Sequence, residues 1–272
     1  MLNSLLFHLE ADDRGTEAIP IVVDMAVQHG ARLRGLMIAD TRRLIASAVG
    51  CEAAVYAATE GELLQRQSQR QSTALSELTH ACLQAGVDFD VRRLRGDPLE
   101  LLPREARFHD LIVTTRPRPH DREGSSEGIS TLTELAIRGA QPLLVLRDSR
   151  SVLKRVLLIY DGSVASERAI KQCLLQRLFH DAEMRLLAIG ATDVEARRNL
   201  AEMAECLRHQ QQEIELGHAC GSLRQIAAAY IRKWDADVVV VGAPQRRILG
   251  FLWGGAVADT LRQTRAAVYV SG

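Results

Sequence analysis

The sequence alternates short, nearly uninterrupted apolar runs with longer amphipathic segments, and this alternation limits the folds open to the chain. The run DVVVVG ends at Gly242, and the run RVLLIY spans Arg155–Tyr160. Short apolar runs rich in β-branched residues indicate buried strands. The segment after RVLLIY spaces its apolar residues three and four apart, which predicts an amphipathic helix. Apolar strands between such helices are typical of a parallel sheet covered on both faces, so the predicted class is α/β.

The second half of the chain contains five strand segments, and a helical segment follows each of the first four. Either Ser163 or Ser166 can cap the first of these helices, because a serine hydroxyl accepts a hydrogen bond from a free backbone N–H. The helix before the last strand is predicted at Gly254–Gln263. The strands are predicted at 155–160, 184–191, 213–219, 237–242 and 266–271.

The first half repeats this order of elements. A helix is predicted at Thr16–His29, where Pro20 is tolerated because it lies near the first turn. A second, long helix ends at about Ala85, and Asp97-Pro98 is typical of a helix start with a capping carboxylate. The last helix is predicted at Ile129–Arg138. The strands are predicted at 4–10, 33–39, 87–94, 109–115 and 142–147.

The two halves align with each other. HDLIVTT matches ADVVVVG, and QPLLVLRD matches AAVYVSG, which indicates an internal duplication with a period near half the chain. The polar segment Arg147–Ser151 is the junction between the copies. We therefore predict two domains, at 1–148 and 152–272.

Composition excludes several classes of protein. The chain has 34 basic and 34 acidic residues, which favours neither nucleic acid nor an anionic membrane as a partner. Its five cysteines include no C-x-x-C pair, and its histidines lack the spacing of a helical metal site. No apolar run approaches the roughly 20 residues of a membrane span, and the first residues lack the basic region of a signal peptide. We expect a cytoplasmic protein without a metal site.

Two motifs of the second copy carry a resemblance to a known family. LLIYDGS ends at Ser163. Gly242 is followed by Gln245 and, after nine intervening residues, by Gly255-Ala256. These motifs resemble the universal stress protein family in its tandem, two-domain form. The resemblance implies two Rossmann-like domains, similar to the adenine nucleotide alpha hydrolases, each a five-stranded parallel sheet flanked by helices. It also implies that Leu143–Arg147 and Ala267–Ser271 pair as a dimer inside one chain, and it leaves open a homodimer of two chains.

Both copies depart from the family motif. In the second copy, Gln245 stands where ATP-binding members have glycine, and Ala256 stands where they have serine or threonine. In the first copy, Leu9 or Glu10 takes the place of the aspartate and Thr115 that of the first glycine. In that copy, moreover, Arg118 replaces the second glycine, and the closing pair is Ser130-Thr131. We expect the first copy not to bind ATP in the family manner.

The second copy retains the chemistry that a nucleotide site needs. The Asp161 carboxylate can accept hydrogen bonds from a base or sugar, and glycines let the backbone approach phosphates closely. A helix start also offers free N–H groups to an anion. The resemblance implies that ATP, with Mg²⁺ accompanying it, would contact Asp161, Gly162, Ile189, Gly242, Gln245, Arg246, Gly254, Gly255, Ala256 and Val257. The alternative is that Asp161–Ser163 is only a turn and helix cap.

Two functions are compatible with these residues. The first is a stress-response regulatory protein that binds ATP or AMP in its second copy. At most it would be a slow ATPase, because the sequence shows no positioned general base and no metal-binding carboxylate pair. The alternative is an adaptor that does not bind nucleotide and whose first copy holds another small ligand or a protein partner.

Overall fold

The computed structural model describes most of the chain. It covers residues 2–10, 12–40, 53–116, 125–139, 141–147, 153–208, 213–243, 259–262 and 264–272, with the backbone alone at 53–68, 125–129 and 138. These residues form two compact units, Asn3–Thr115 and Met1–Leu2 with Arg116–Gly272. The units follow packing rather than repeats, so the predicted domains 1–148 and 152–272 stay a prediction.

The first unit is a parallel sheet with helices between its strands. Its strand order is β3-β2-β1-β4, and every pairing within it is parallel. This arrangement confirms the α/β class. The elements are β1 (Ser4–His8), α1 (Asp13–His29), β2 (Arg32–Asp40), α2 (Ala53–Ala85), β3 (Phe89–Gly96), α3 (Pro98–Ala106) and β4 (Leu111–Thr115).

Helix α1 begins three residues earlier than predicted. Asp12 is its N-cap, and the Asp12 carboxylate accepts a hydrogen bond from the Gly15 N–H at 2.8 Å. Pro20 therefore lies in the helix interior, and the prediction that it lies near the first turn was wrong. Pro20 is exposed and lacks an N–H, so the helix loses one hydrogen bond at this turn. The predicted start of α3 is confirmed, because the Asp97 carboxylate accepts from the Leu99 N–H at 2.8 Å.

The second unit has the strand order β5-β10-β9-β6-β7-β8. Its described strands pair in parallel except β5 and β10, which are antiparallel with Val145 opposite Val268. The predicted pairing of the two fifth strands is thus confirmed. The elements are α4 (Ser125–Arg138), β5 (Leu143–Leu146), β6 (Arg155–Tyr160), α5 (Val164–Gln176), β7 (Glu183–Gly190), α6 (Asp193–Leu207), β8 (Ile214–Cys220), α7 (Leu223–Trp234), β9 (Val238–Gly242) and β10 (Ala267–Ser271).

Two helices of this unit can be compared with their predicted ranges. Helix α4 begins at Ser125, four residues before the predicted start. Of the helix predicted at Gly254–Gln263, the described residues include 259–262, which are helical.

Burial explains why some strands are continuously apolar and others are not. Val156–Leu158 of β6 and Val238–Val240 of β9 are fully buried at the centre of the second unit. The outermost strands, β3 and β8, instead expose charged or polar side chains such as Arg92, Arg93 and Glu215. Parallel strands with helices on both faces need apolar side chains in both directions, whereas an outer strand does not.

Cysteine chemistry agrees with the absence of C-x-x-C spacing. Cys82, Cys173, Cys206 and Cys220 are all free thiols, and Cys51 lies outside the described residues. Burial raises the pKa of Cys173 to about 12, so this thiol stays protonated and unreactive. None of the described helices is long and apolar enough to cross a membrane.

Candidate functional site

The candidate site lies where the connections of the second unit change direction. From β6 the chain continues to β7 on one side, and β9 pairs with β6 on the other. Ligands of open α/β sheets bind at the carboxyl ends of strands beside such a switch point. Asp161 directly follows β6, and Gly242 is the last residue of β9. The sequence-predicted carboxylate and first glycine therefore occupy this position.

A small hydrogen-bond network holds the Asp161 carboxylate. Ser163 is the N-cap of α5, and its hydroxyl accepts from the Ser166 N–H at 3.1 Å. The buried Ser166 hydroxyl donates to Asp161 Oδ1 at 2.7 Å, and the Ser163 N–H donates to the same oxygen at 3.1 Å. Among the described residues, no hydrogen-bond partner reaches Asp161 Oδ2. Asp161 thus uses only its Oδ1 in the turn and helix cap.

Gly242 lies against the first turn of α5. A Cβ at this position would lie 2.3 Å from the Ala165 carbonyl carbon and 2.3 Å from the Ser166 nitrogen. Only glycine therefore lets α5 pack this closely on the end of β9. Because Ser166 also bonds Asp161, both Gly242 and Asp161 lie next to this one serine.

Gly162 and Ile189 meet at a single side chain, Asn199 of α6. Gly162 has a φ of +78°, and a Cβ there would lie 3.0 Å from the Asn199 amide atoms. The Asn199 Nδ2 donates to the Ile189 carbonyl at 2.8 Å, and only 2% of Asn199 is exposed. The structure thus brings together four predicted site residues, Asp161, Gly162, Ile189 and Gly242. The other six lie outside the described residues: Gln245, Arg246, Gly254, Gly255, Ala256 and Val257.

Sequence reasoning did not identify two residues of this arrangement. The sequence predicts Ser166 only as a possible cap, whereas in the structure Ser163 is the cap and Ser166 bonds the carboxylate. Asn199 was not among the predicted site residues. Its signal is the spacing Ala196, Asn199, Met203 and Leu207, which places a polar side chain in the buried stripe of α6.

Matching contacts align the residues of the first copy with those of the second copy. Asp110 Oδ2 accepts from the Asn3 and Ser4 N–H groups, as Asp237 Oδ2 accepts from those of Lys154 and Arg155. A second matched contact joins neighbouring strands: Arg34 Nε lies 2.8 Å from Asp90, and Arg185 Nε lies 2.7 Å from Glu215.

This alignment decides which residue replaces the aspartate in the first copy. Leu5 pairs with Leu111 as Val156 pairs with Val238, so Glu10 rather than Leu9 corresponds to Asp161. By the same count, Gly15 corresponds to Ser166 and Thr115 to Gly242. A Cβ at Gly15 would lie 2.0 Å from the Glu10 carbonyl oxygen, so no serine fits there. The buried Thr115 hydroxyl has no hydrogen-bond partner among the described residues.

The electrostatics beside Asp161 keep a tyrosine neutral. Burial, then the carboxylates Glu202, Glu167 and Asp161, raise the pKa of Tyr160, so its phenol stays protonated near neutral pH. In the part of the chain that the structure describes, no group of three or more His, Cys, Asp or Glu side chains is arranged to hold a metal ion.

Comparisons with known proteins give the fold a name. No protein-family model matches the sequence, and the comparison with curated proteins found no match. A universal stress protein from Archaeoglobus fulgidus DSM 4304 matches over 100% of this chain and 98% of its own, with a TM-score of 0.74 and 15% identity. The chain has the tandem universal stress protein fold.

Two further structures show how widely this fold is used. A protein of unknown function from Pseudomonas aeruginosa PAO1 matches over 99% of this chain and 92% of its own, with a TM-score of 0.63 and 12% identity. The cytoplasmic domain of a prokaryotic cation chloride cotransporter matches over 99% and 94%, with a TM-score of 0.51 and 11% identity. One tandem universal stress protein fold therefore serves different proteins, and function has to be argued from the site.

Proposed function

We propose that this chain is a regulatory protein of the universal stress protein type that binds ATP or AMP in its second copy. The observation that carries the proposal is the Asp161 carboxylate. Ser166 and the Ser163 N–H hold one of its oxygens at the switch point, beside Gly242. A carboxylate fixed in this way loses little conformational entropy when a ligand binds.

Each part of the nucleotide would meet a different part of this site. Asp161 Oδ2 would accept a hydrogen bond from the ribose or the base, a charge-assisted contact of about 1.5–3 kcal/mol. Residues 244–257, which lie outside the described residues, would supply the phosphate contacts predicted from the sequence. Mg²⁺ would accompany ATP. The pairing of two chains as a homodimer stays a prediction.

The first experiment tests for nucleotide in the protein as purified. The protein is isolated without added nucleotide and denatured, and the supernatant is analysed on a calibrated nucleotide column. Protein without bound nucleotide is then titrated with Mg-ATP in a calorimeter. We expect near-stoichiometric nucleotide in the first assay or a clear binding isotherm in the second. A protein that is empty and also silent toward Mg-ATP would contradict the proposal.

A matched pair of variants tests the position of the site. Asp161→Asn keeps an acceptor for the Ser166 hydroxyl but removes the charge, so we expect Mg-ATP affinity to fall about tenfold to a hundredfold. Glu10→Gln makes the same change at the corresponding position of the first copy and should leave affinity unchanged. Equal effects of the two substitutions would refute the assignment to the second copy.

A second function is favoured by one specific observation. Gly242 is required by the packing of α5, and Asp161 takes part in the cap of α5, so both residues have a role without any ligand. The chain would then be an adaptor that binds a protein or another small ligand. An empty protein with no affinity for Mg-ATP would support this function over nucleotide binding.

A further inference from the structure

Two arginines of the first copy bind the end of the last helix of the second copy, which precedes β10. This last helix is described at residues 259–262, and the Thr264 N–H donates to the carbonyl four residues earlier at 3.1 Å. Arg116 Nη2 donates to the Arg262 carbonyl at 3.0 Å, and Arg116 Nη1 donates to the Thr264 carbonyl at 3.3 Å. Arg147 Nη1 also donates to the Thr264 carbonyl. All of these residues belong to the second unit.

These contacts satisfy a general need of helix ends. The last carbonyls of an α-helix have no partner inside the helix, and the helix dipole places a partial negative charge on them. A guanidinium group suits both features, because it donates several hydrogen bonds and is always charged. Only 7% of Arg116 is exposed, so water is a poor replacement for the carbonyls at this position. Arg116 and Arg147 therefore act as a C-terminal cap that comes from a distant part of the sequence.

The second copy has no residues that return this contact. Arg116 and Ala243 are corresponding residues, because the backbone N–H of each donates to the last carbonyl of the fifth strand of its own copy. Arg147 and Gly272 directly follow those two strands. Alanine and glycine have no side-chain donor, so positions 243 and 272 cannot cap α4 as the arginines cap the last helix. The support runs in one direction only, from the first copy to the second.

We infer that Arg116 and Arg147 are positioning residues through which the first copy, which departs from the family motif, holds the last helix of the second copy. Their effect on ligand affinity rests on the proposed nucleotide binding, in which the start of this helix, outside the described residues, supplies N–H groups to the phosphates. A helix fixed at its last carbonyls needs less ordering when its other end receives an anion. The first copy thus serves as a support for the site of the second copy.

Hydrogen exchange of the segment 259–266 measures this support in the full chain without nucleotide. Arg116→Ala removes both contacts described above, so we expect the segment to exchange about tenfold to a hundredfold faster, the effect of a charge-assisted hydrogen bond. Arg116→Lys keeps the charge but lacks the planar fork that reaches two carbonyls, and should give a smaller increase. If Arg116→Ala does not fold, Arg147→Ala removes one contact at a half-buried position and should still speed exchange about tenfold.

Arg155→Ala is the matched control, because it removes the same kind of contact from another helix. Arg155 Nη1 donates to the Trp234 carbonyl at 3.0 Å, at the end of α7. This variant should speed exchange near Trp234 and leave the segment 259–266 as in the wild type. In calorimetric titrations with Mg-ATP, Arg116→Ala should raise Kd about tenfold, whereas Arg155→Ala should leave Kd unchanged.

The two measurements separate the inference from the proposed function. Exchange of the segment 259–266 as slow in Arg116→Ala as in the wild type would overturn the inference. Faster exchange with an unchanged Kd, or an equal rise of Kd in Arg155→Ala, would also overturn it, because the arginines would then contribute only to stability. A wild type without affinity for Mg-ATP would overturn the proposed function and the effect on Kd, while the exchange rates would still decide whether the first copy holds this helix.

Discussion

The two copies keep the same contacts at the amino ends of their strands and differ at the carboxyl ends. Asp110 and Asp237 each hold the backbone entering the first strand of their copy, and each copy pairs an arginine with a carboxylate on the outer strand. At the other end, Asp161, Ser166 and Gly242 of the second copy are replaced by Glu10, Gly15 and Thr115. The shared contacts maintain the fold, whereas the divergent ones can change without loss of the sheet.

The first copy also has histidines where the second has apolar residues. His8 Nδ1 lies 3.2 Å from the Thr114 hydroxyl, and His109 Nδ1 lies 2.5 Å from the Ser4 hydroxyl, so both histidines join β1 to β4 or its preceding turn. In the second copy the corresponding residues are Ile159 and Ala236. Acid should therefore affect the copies unequally.

The largest effect is expected where glycine distinguishes the copies. Gly242→Ala places a methyl group 2.3 Å from backbone atoms of α5, which cannot yield as a flexible side chain does. We expect a loss of about 3 kcal/mol in stability, at the upper end for overpacking, measured by urea unfolding. Thr115→Ala is the control in the first copy and should cost about 1 kcal/mol. A Gly242→Ala variant as stable as the wild type would refute the packing argument.

The acid response of the first copy should be almost as large. Burial lowers the pKa of His8 from 6.5 to about 4, and burial followed by Arg34 lowers that of His109, although Asp90, Glu105 and Asp110 act in the opposite direction. The unfolded chain thus binds protons more readily, so stability falls as the pH drops from 6.5 towards 4. For His8 the loss approaches about 3 kcal/mol.

A substitution taken from the other copy tests this response. His8→Ile installs the residue of the second copy and should flatten the pH dependence of unfolding between pH 7 and 4.5, at some cost at neutral pH because the Thr114 hydroxyl loses its partner. The exposed His80→Gln is the control. Hydrogen exchange should show β1 and β4 opening before β6 and β9 in acid. An identical pH profile for His8→Ile and the wild type would contradict the prediction.

The smallest effect separates helix capping from binding. Ser163→Ala and Asp12→Ala each remove an N-cap, and each should cost about 1 kcal/mol of stability. Only Ser163→Ala should also weaken Mg-ATP binding, since the Ser163 hydroxyl bonds Ser166, which holds Asp161. Calorimetry on both variants checks this expectation. Equal affinities would mean that the cap does not position the carboxylate.

The sequence was sufficient for the order of strands and helices because apolar periodicity determines which segments can be buried. It was less reliable at helix starts, where several side chains compete for one role. Asp12 rather than a residue nearer Thr16 caps α1, and Pro20 is consequently an interior residue. Serine spacing alone likewise did not show which of Ser163 and Ser166 caps α5.

The site could be predicted only in part because some of its contacts are tertiary. Asp161 and Gly242 were visible as motif residues at strand ends. The role of Asn199 was not, because its partner is the Ile189 carbonyl, which needs a donor only where β6 ends and the chain turns at Gly162. No local pattern encodes that need, apart from an asparagine in a buried helical stripe.

The outermost strands have a consequence for the behaviour of the protein at high concentration. An unpaired strand edge can recruit a strand from another molecule and start aggregation. Strand β3 exposes Arg92, Arg93 and Arg95, whereas β8 exposes Glu215 together with the apolar Leu216. A strand docking on β3 would have to strip water from closely spaced guanidinium groups. Charge along β3 thus disfavours edge-to-edge polymerisation through this strand.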